Sequence, residues 1–293
     1  MKMIDNGTIN IFCSASKSRL DEVNNLLIPS LEKQTTKKKI RLSLIDYTGQ
    51  KTFSKKDIKS SKLDLDVLFP KQPLGFGESH NFAFSKIKPQ KYFLIINPDI
   101  YMDKNCLEEL LSSFSKDVGL VEARQLPFTH PKDTPKNKTF ETNWASGCCL
   151  LINSHFFEKV NGFDPNYWMY LEDVDLSWKA WINDYKVLQN PRAIVNHYTG
   201  LYFKYSQNSY EIEDFWSMRN FLYISYVYFG NKGVRQAKKW INKTSYPQEF
   251  ISKAIENFEE FMTKNTPNRI RIPTHCKDKI KIYGYNKFSE YPK

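Results

Sequence analysis

The stretch YFLIINPDIYMD, residues 92–103, decides how the chain is to be read. Phe93, Leu94, Ile95 and Ile96 form an apolar run with the β-branched character of a buried strand. Pro98 has no backbone N–H to give to a sheet ladder, so the strand is expected to end at Asn97-Pro98-Asp99. A carboxylate then stands at the mouth of a buried strand. In open α/β sheets ligands bind outside the carboxyl ends of the strands, which makes Asp99 a candidate ligand residue. The competing reading is a turn aspartate capping the segment that starts near Asp103. This stretch alone does not choose between them.

Working outward, TINIFCSA (8–15) reads as a first strand. The next stretch, SRLDEVNNLLIPSLEKQ, reads as a helix with Leu20, Val23, Leu27 and Leu31 near helical spacing; Pro29 calls for a kink or a late start. KIRLSLIDYTGQ is a strand ending at Asp46, and LDVLFPKQPLGFGESHNFAFSKI is a short strand, a glycine loop and a helix. CLEELLSSFSK is a helix and VGLVEAR a strand. Such alternation predicts an α/β fold around a mostly parallel sheet. Asp46, the Gly75 loop and Asp99 all fall at strand ends, as the lining of one crevice at the carboxyl edge would.

Residues 126–143 form a polar, proline-bearing loop of the length that functional lids have. WASGCCLLINS and VLQNPRAIVNHYTG read as further strands. After about residue 205 three helical stretches follow, then the basic tail NRIRIPTHCKDKIKIYGYNKF, read as partly strand or disordered. The expected organisation is a domain over 1–205 and a helical, basic extension over 206–293.

At 293 residues and 41% hydrophobic, with 21 Phe, 17 Tyr and 6 Trp, the chain can build a sizeable core and is too apolar for disorder. Its five cysteines show no paired zinc-type spacing, and an odd count suits reduced thiols. Cys148 and Cys149 lie in apolar surroundings that favour a buried strand over a vicinal redox pair. The start, MKMIDNGTINIF, lacks the apolar stretch of a signal peptide, and the run FLYISYVYFG is about half the roughly 20 residues of a spanning helix. The expectation is a cytoplasmic protein, peripheral at most at the inner face of the membrane.

A net charge of +11 favours anionic partners: nucleic acid, anionic lipid or a phosphorylated substrate. Runs such as KQTTKKKIR account for part of the excess as solvated surface. A non-enzymatic nucleic-acid- or anion-binding protein is therefore the alternative to an enzyme. It lacks support in the sequence, which shows no RNP, helix-turn-helix or zinc pattern.

A second acidic group, Glu172, Asp173 and Asp175, opens a helical pattern in YLEDVDLSWKAW. Acids in a first turn stabilise a helix through its macrodipole, and that alone could explain them. The aromatic segment before them, with Trp168 and Tyr170, suits sugar or base faces, and an ionised carboxylate at a helix start can act as a general base. His197 ends the apolar strand AIVNH, as a structural histidine or as a metal ligand.

Together PLGFGESHNFAF, LIINPDI, the stretch from Trp144 to Trp181 and NPRAIVNH resemble the family 2 glycosyltransferases, most closely the rhamnosyltransferase-like branch. The resemblance covers roughly residues 8–200. It implies a GT-A fold that binds a nucleoside-diphosphate sugar, dTDP-rhamnose or a UDP-sugar, with Mg2+ or Mn2+. It implies a saccharide or lipid-linked acceptor and no nucleic acid. It makes Asn97-Pro98-Asp99 the counterpart of the Asp-x-Asp motif, with Asp99 holding the cation and His197 completing the metal site. Asp46 becomes a nucleoside contact, although IDYTGQ departs from the usual Asp-Asn-x-Ser loop. Gly75, Gly77 and Asn81 match the donor loop, and Glu172-Asp173 match the motif whose aspartate is the catalytic base. Trp168 and Tyr170 are then expected at the acceptor. The Gln-x-x-Arg-Trp motif of processive synthases is absent, which implies addition of single sugars by an inverting displacement.

Overall fold

The computed structural model describes residues 7–127, 138–198 and 207–289. Most of the lid expected over 126–143, the last two residues of VLQNPRAIVNHYTG and the last four of the sequence lie outside this set. The first strand, β1 (Thr8–Ala15), pairs in parallel with β2 (Lys39–Asp46), and β2 pairs with β3 (Asp64–Leu68). On its other side β1 takes β4 (Tyr92–Ile96), again in parallel. Beyond β4 lie β8 (Cys149–Asn153), β6 (Val118–Leu126), β9 (Lys186–His197) and β5 (Ile100–Met102), with the short β7 (Phe140–Glu141) on β9. Strands β1–β4, β6 and β9 run one way; β5, β7 and β8 run against them. The sheet is mostly parallel, as the alternation predicts.

The period of two along β1 builds a core on each face. Ile9, Ile11 and Cys13 pack with Val23, Leu27 and Leu31 and with Leu107 and Leu110 of α4 (Cys106–Ser112). Phe12 points the other way, among Ala83 of α3 (Phe76–Ile87), Phe156 of α5 (Ser154–Lys159) and Leu176 of α6 (Glu172–Ile182). The first helical stretch runs through α1 (Leu20–Glu22), a π-type turn at Val23–Leu27 and α2 (Ile28–Glu32). Pro29 sits in the first turn of α2. The wide turn before it accommodates a residue that lacks an N–H and crowds the carbonyl four positions back.

After β9 come α7 (Gln207–Ile241) and α8 (Gln248–Lys264). Gly230 (φ +64°) breaks α7 at the boundary between the first two helical stretches read from the sequence. Any side chain there would meet the Arg269 guanidinium at 2.7 Å. The apolar stripe of α7 faces inward: Met218 and Leu222 are fully buried and share one cluster with Tyr167, Leu171, Val174 and Trp178. Part of the tail joins that cluster through Cys276, Ile280 and Phe288. Outside it, Lys232, Arg235 and Lys239 are exposed. No helix among the described residues is long and apolar enough to cross a membrane. All five cysteines are buried and unbridged.

Candidate active site

Asp99 lies where strand β4 gives way to β5. The chain leaves β4 at Ile96, and the pairing of Ile100 with His197 brings that histidine beside Asp99. The backbone closes the junction, with Tyr198 N–H donating to the Asp99 carbonyl at 2.9 Å. The turn before α4 is shaped by Asp103, whose Oδ1 accepts from Asn105 N–H at 3.0 Å. Asp99 is 4% exposed. Its Oδ2 lies 3.1 Å from Nη2 of Arg19, and its Oδ1 lies 3.3 Å from Nε2 of His197. Burial pushes the Asp99 carboxyl up, but His197 and then Arg19 outweigh it and hold the group below its ordinary range. Arg19 also pairs with Glu22, whose carboxyl burial pushes up to about 7 against the pull of that guanidinium.

His197 is oriented from behind. Its Nδ1 lies 3.1 Å from Oε1 of Gln125 and 3.4 Å from Sγ of Cys148. An amide oxygen only accepts, so Nδ1 carries a proton toward Gln125 and Nε2 is the ring nitrogen that faces Asp99. Oδ1 of Asp99 has no hydrogen-bond partner among the described residues. Asp99 Oδ1 and His197 Nε2 thus converge, and with the ring neutral a cation between them would bond both. Among the described residues no group of three or more His, Cys, Asp or Glu gathers as a metal site. Two protein ligands fit a hard divalent ion that takes its remaining oxygens from substrate phosphates and water. A histidine whose other nitrogen is held by an amide is the usual supporting arrangement.

The second acidic group separates into three environments. Asp175 is buried; its Oδ2 meets Lys179 Nζ at 2.7 Å and its Oδ1 accepts from Tyr228 O–H at 2.9 Å, a structural pairing. Glu172 is 4% exposed, and burial, followed by the charge of Asp173, pushes its carboxyl well above the ordinary range. Asp173 alone is half-buried. Its Oδ2 accepts from Gly147 N–H at 2.9 Å and its Oδ1 from Val174 N–H at 2.8 Å.

The segment that delivers these acids is bent. Tyr170 (φ +71°) and Leu171 (φ +69°) both sit in the left-handed region, which is strained for residues with a Cβ. Two elements hold it. From one side, Phe76 N–H donates to the Trp168 carbonyl at 2.8 Å, an approach possible because a Cβ on Gly75 would lie 2.3 Å from that oxygen. From the other, Asn220 Nδ2 donates to the carbonyls of Met169 (2.7 Å) and Tyr170 (2.9 Å), while Arg219 Nη1 donates to that of Asn166 (2.8 Å).

The remaining expected site residues fall in two groups. Asp46 ends β2, two strands from Asp99 in the sheet, and is fully buried. Its Oδ1 accepts from Thr48 N–H (3.2 Å) and O–H (2.6 Å), and its Oδ2 from Thr52 N–H and O–H. All four donors come from its own loop, so the carboxylate shapes that loop. Tyr47 of the same loop accepts from Leu74 N–H at 2.9 Å, which ties it to the Gly75 turn. Gly75, Gly77 and Asn81 make their contacts to the Phe163–Trp168 stretch: a Cβ on Gly77 would lie 2.7 Å from Phe163, and both ends of the Asn81 amide bond the Phe163 backbone. The Asn97 N–H donates to the Cys148 carbonyl at 2.9 Å. Trp168 lies 6.4 Å, ring to ring, from Trp216 of α7. The sequence reading missed Arg19, Gln125, Arg219 and Asn220. An Arg-Asn pair inside the aromatic run DFWSMRNFLYISYVY was the available signal, since buried polar side chains need partners.

No family model matches the chain. In sequence it is similar to the rhamnosyltransferase WbbL of Escherichia coli (strain K12), 26% identical over 161 residues, 42% of this chain and 61% of that one. It is also similar to the N-acetylglucosaminyl-diphospho-decaprenol L-rhamnosyltransferase of Mycobacterium tuberculosis (strain ATCC 25618 / H37Rv), 42% identical over 59 residues, 19% of this chain and 18% of that protein. The match thus spans less than two thirds of either relative's length. Among solved structures, GalNAc-T7 with UDP, GalNAc and Mn2+ superposes with a TM-score of 0.57 at 14% identity, over 87% of this chain and 55% of that one. The mannosyltransferase PcManGT of Pyrobaculum calidifontis, in complex with GDP-Man and Mn2+, gives 0.52 at 13%, over 85% and 68%. S. aureus TarS 1-349 gives 0.51 at 13%, over 88% and 72%. At such identities the likeness is one of fold, and that fold is GT-A. The chain is thus similar in sequence to rhamnosyltransferases over part of its length, and its fold is that of GT-A glycosyltransferases.

Proposed function

We propose that the protein is an inverting, metal-dependent glycosyltransferase. It moves a rhamnose-like sugar from a nucleoside-diphosphate donor, dTDP-rhamnose or a UDP-sugar, to a saccharide or lipid-linked acceptor in surface polysaccharide assembly. One observation carries this reading: adjacent residues join the two acidic groups. Gly147 N–H donates to Asp173, and Cys148 Sγ contacts His197 beside Asp99. A proton acceptor and a cation-binding pair therefore flank one crevice. The similarity to rhamnosyltransferases supports the sugar. The mycobacterial relative's printed acceptor, a diphospho-decaprenol carrying N-acetylglucosamine, supports a lipid-linked one.

In this reading Asp99 Oδ1 and His197 Nε2 hold Mg2+ or Mn2+, which when bound offsets charge on the leaving diphosphate. Arg19 adds a second positive group beside Asp99. Asp173 takes the proton of the acceptor hydroxyl as its oxygen bonds the anomeric carbon and the bond to the diphosphate breaks. A single displacement through an oxocarbenium-like transition state inverts that carbon. Asp175, bound to Lys179, and Glu172, sealed in the wall behind Asp173, are not placed to take that proton. The exposed Lys232, Arg235 and Lys239 suit an anionic membrane surface, where basic residues contribute about 1 kcal/mol each.

The test is a thermal-shift screen of nucleotide sugars with and without Mn2+, followed by NMR of the product. A ligand at a hundredfold excess over its Kd stabilises by about 2.7 kcal/mol. Mn2+-dependent stabilisation by one nucleotide sugar and an inverted product are expected. No response to any nucleotide sugar, or a product with retained configuration, refutes the reading.

A further inference from the structure

The sheet has a second open edge. Strands β1 to β4 begin there and the antiparallel β8 ends there, about 17 Å along β4 from the Asp99 end. A groove of about 750 Å³ runs beneath these strand ends. It is bounded in turn by Asp64 of β3, Arg41 of β2, Asn10 of β1, Tyr92 of β4 and Asn153 of β8, and it finishes at Lys116 in the turn before β6. These strands follow one another in that order across the sheet. Neighbouring strands lie about 4.8 Å apart, so the groove crosses about 24 Å. Its volume is that of a ligand site, but its shape is long and narrow.

The groove is basic. Lys88, Lys91 and Lys116 line it, are exposed, and form no ion pair among the described residues. Nearby acids are already taken: Asp117, next to Lys116, is bound to Lys186 at 2.7 Å, and Asp66 to Arg41 at 2.6 Å. Among the described residues Asp64 is the one carboxylate of the lining. Lys88 ends α3 in the left-handed region (φ +51°), a place that glycine usually takes. A cleft lined by one sign of charge focuses its field and concentrates ions of the other.

Shape and lining say which anion fits. At about 3.3 Å per residue, the groove is as long as about seven residues of extended chain. Between the cations stand Ile87, Pro89 and Phe114, apolar walls that a polyphosphate has no surface to match. No ring face is open at the centre for a base to stack on: Tyr92 is 6% exposed, with the Phe114 ring 5.1 Å away and the Lys91 ammonium 5.6 Å above it. A bilayer surface is flat, and this site is concave. Carboxylates alternating with apolar side chains on an extended backbone match all of these features.

We propose that this groove docks an extended acidic segment of a partner protein. Its carboxylates meet Lys88, Lys91 and Lys116, and its apolar side chains settle on Ile87 and Phe114. The groove and the Asp99 crevice lie at opposite edges of the sheet, so both can be filled at once. A partner held in the groove leaves the crevice uncovered, and the assignment does not depend on what the crevice binds.

The experiment titrates the full chain, at low salt and without added metal, into a fluorescein-labelled octapeptide of glutamates interrupted by leucines, and reads anisotropy. The wild type should bind it and should not bind the counterpart with lysines in place of glutamates. Lys88→Glu combined with Lys91→Glu should weaken binding by about tenfold or more, and Lys116→Glu alone by about threefold or more. Lys232→Glu combined with Lys239→Glu, on α7, makes the same change in net charge and should stay within about twofold of wild type. All five lysines are exposed. If a glutamate variant melts early, Lys88→Gln combined with Lys91→Gln decides, with a loss of about threefold or more expected. Inorganic polyphosphate and single-stranded DNA are run as competitors. Equal loss in the two double glutamate variants would show binding to overall charge and overturn the proposal. So would a wild type that leaves the peptide free at submillimolar protein. A competitor that displaces the label at lower concentration than the unlabelled peptide would also overturn it, and would give the groove to phosphate polymers.

Discussion

Replacing Asn220 with alanine should destabilise the protein and disable the site, although Asn220 lies behind the segment that carries Tyr170 and Asp173. Asn220 is fully buried. Its amide nitrogen serves two carbonyls, Met169 and Tyr170, and its oxygen accepts from Arg219 at 2.8 Å. Alanine leaves three polar groups short of a partner, the buried Arg219 guanidinium and two half-buried carbonyls, and a fully buried one costs about 1–3 kcal/mol if nothing moves. Relaxation limits the loss. Tyr170 and Leu171 store strain of order 1–3 kcal/mol each in their left-handed conformation, and the segment can spring toward ordinary dihedrals once released. The expected net cost is about 2–4 kcal/mol by urea denaturation. Relaxation rotates the peptide units just ahead of Asp173, so turnover should fall at least tenfold while calorimetric affinity for the donor nucleotide, bound on the Asp99 side, stays the same. Asn220→Asp is the sharper control. It keeps the shape but places acceptor oxygens against two carbonyls, so it should be at least as damaging as alanine. An alanine variant within about 0.5 kcal/mol of wild type, or an aspartate variant that behaves as wild type, refutes the idea that hydrogen bonds from α7 hold the bend.

Burial lowers the His80 pKa to about 3, from an ordinary value near 6.5. A native state that binds fewer protons than the unfolded chain loses stability as pH falls, so this contribution is complete above about pH 6.5 and drains away toward pH 3. At about 1.4 kcal/mol per pH unit it amounts to as much as about 5 kcal/mol, and urea midpoints of His80→Phe should fall less steeply with acid than those of wild type; parallel slopes would count against it. Asp99→Ala should abolish Mn2+-dependent nucleotide binding in calorimetry, and unchanged affinity would remove Asp99 from the donor site. Asp173→Asn should retain donor binding and lose about 10² to 10⁴ in turnover, the contribution of general-base catalysis; near-normal turnover would send the base role elsewhere.

The strand at 92–96 and its abrupt end were legible because apolar run, proline and carboxylate follow one another within a few residues. The mostly parallel sheet was legible from the alternation of elements. The insertion of β8 against the grain between β4 and β6 was not, since nothing local in CLLIN reports its direction. Among the acids, position gave the candidates and burial sorted them. Asp175 looks equivalent to Asp173 in sequence, and only Lys179 and Tyr228 distinguish it. Asp46 stands at the expected strand end, yet the threonines of IDYTGQKT turn its carboxylate into the loop. Arg19 was invisible because its partner, Asp99, is brought to it by strand pairing and not by neighbourhood in the chain. The helices after residue 206 read as an extension because amphipathic patterns tell that a face is covered but not by what.

The packing of Phe288 on Trp144 has a consequence for biosynthesis. The two rings belong to opposite halves of the polypeptide, and a ribosome adds residues at only about 5–20 per second. For some seconds the nascent chain holds every strand of the sheet while the ring that packs on Trp144 is still to be made. Trp144, Trp178 and Phe221, which Phe288 packs against in the finished fold, lack that cover until the last residues emerge.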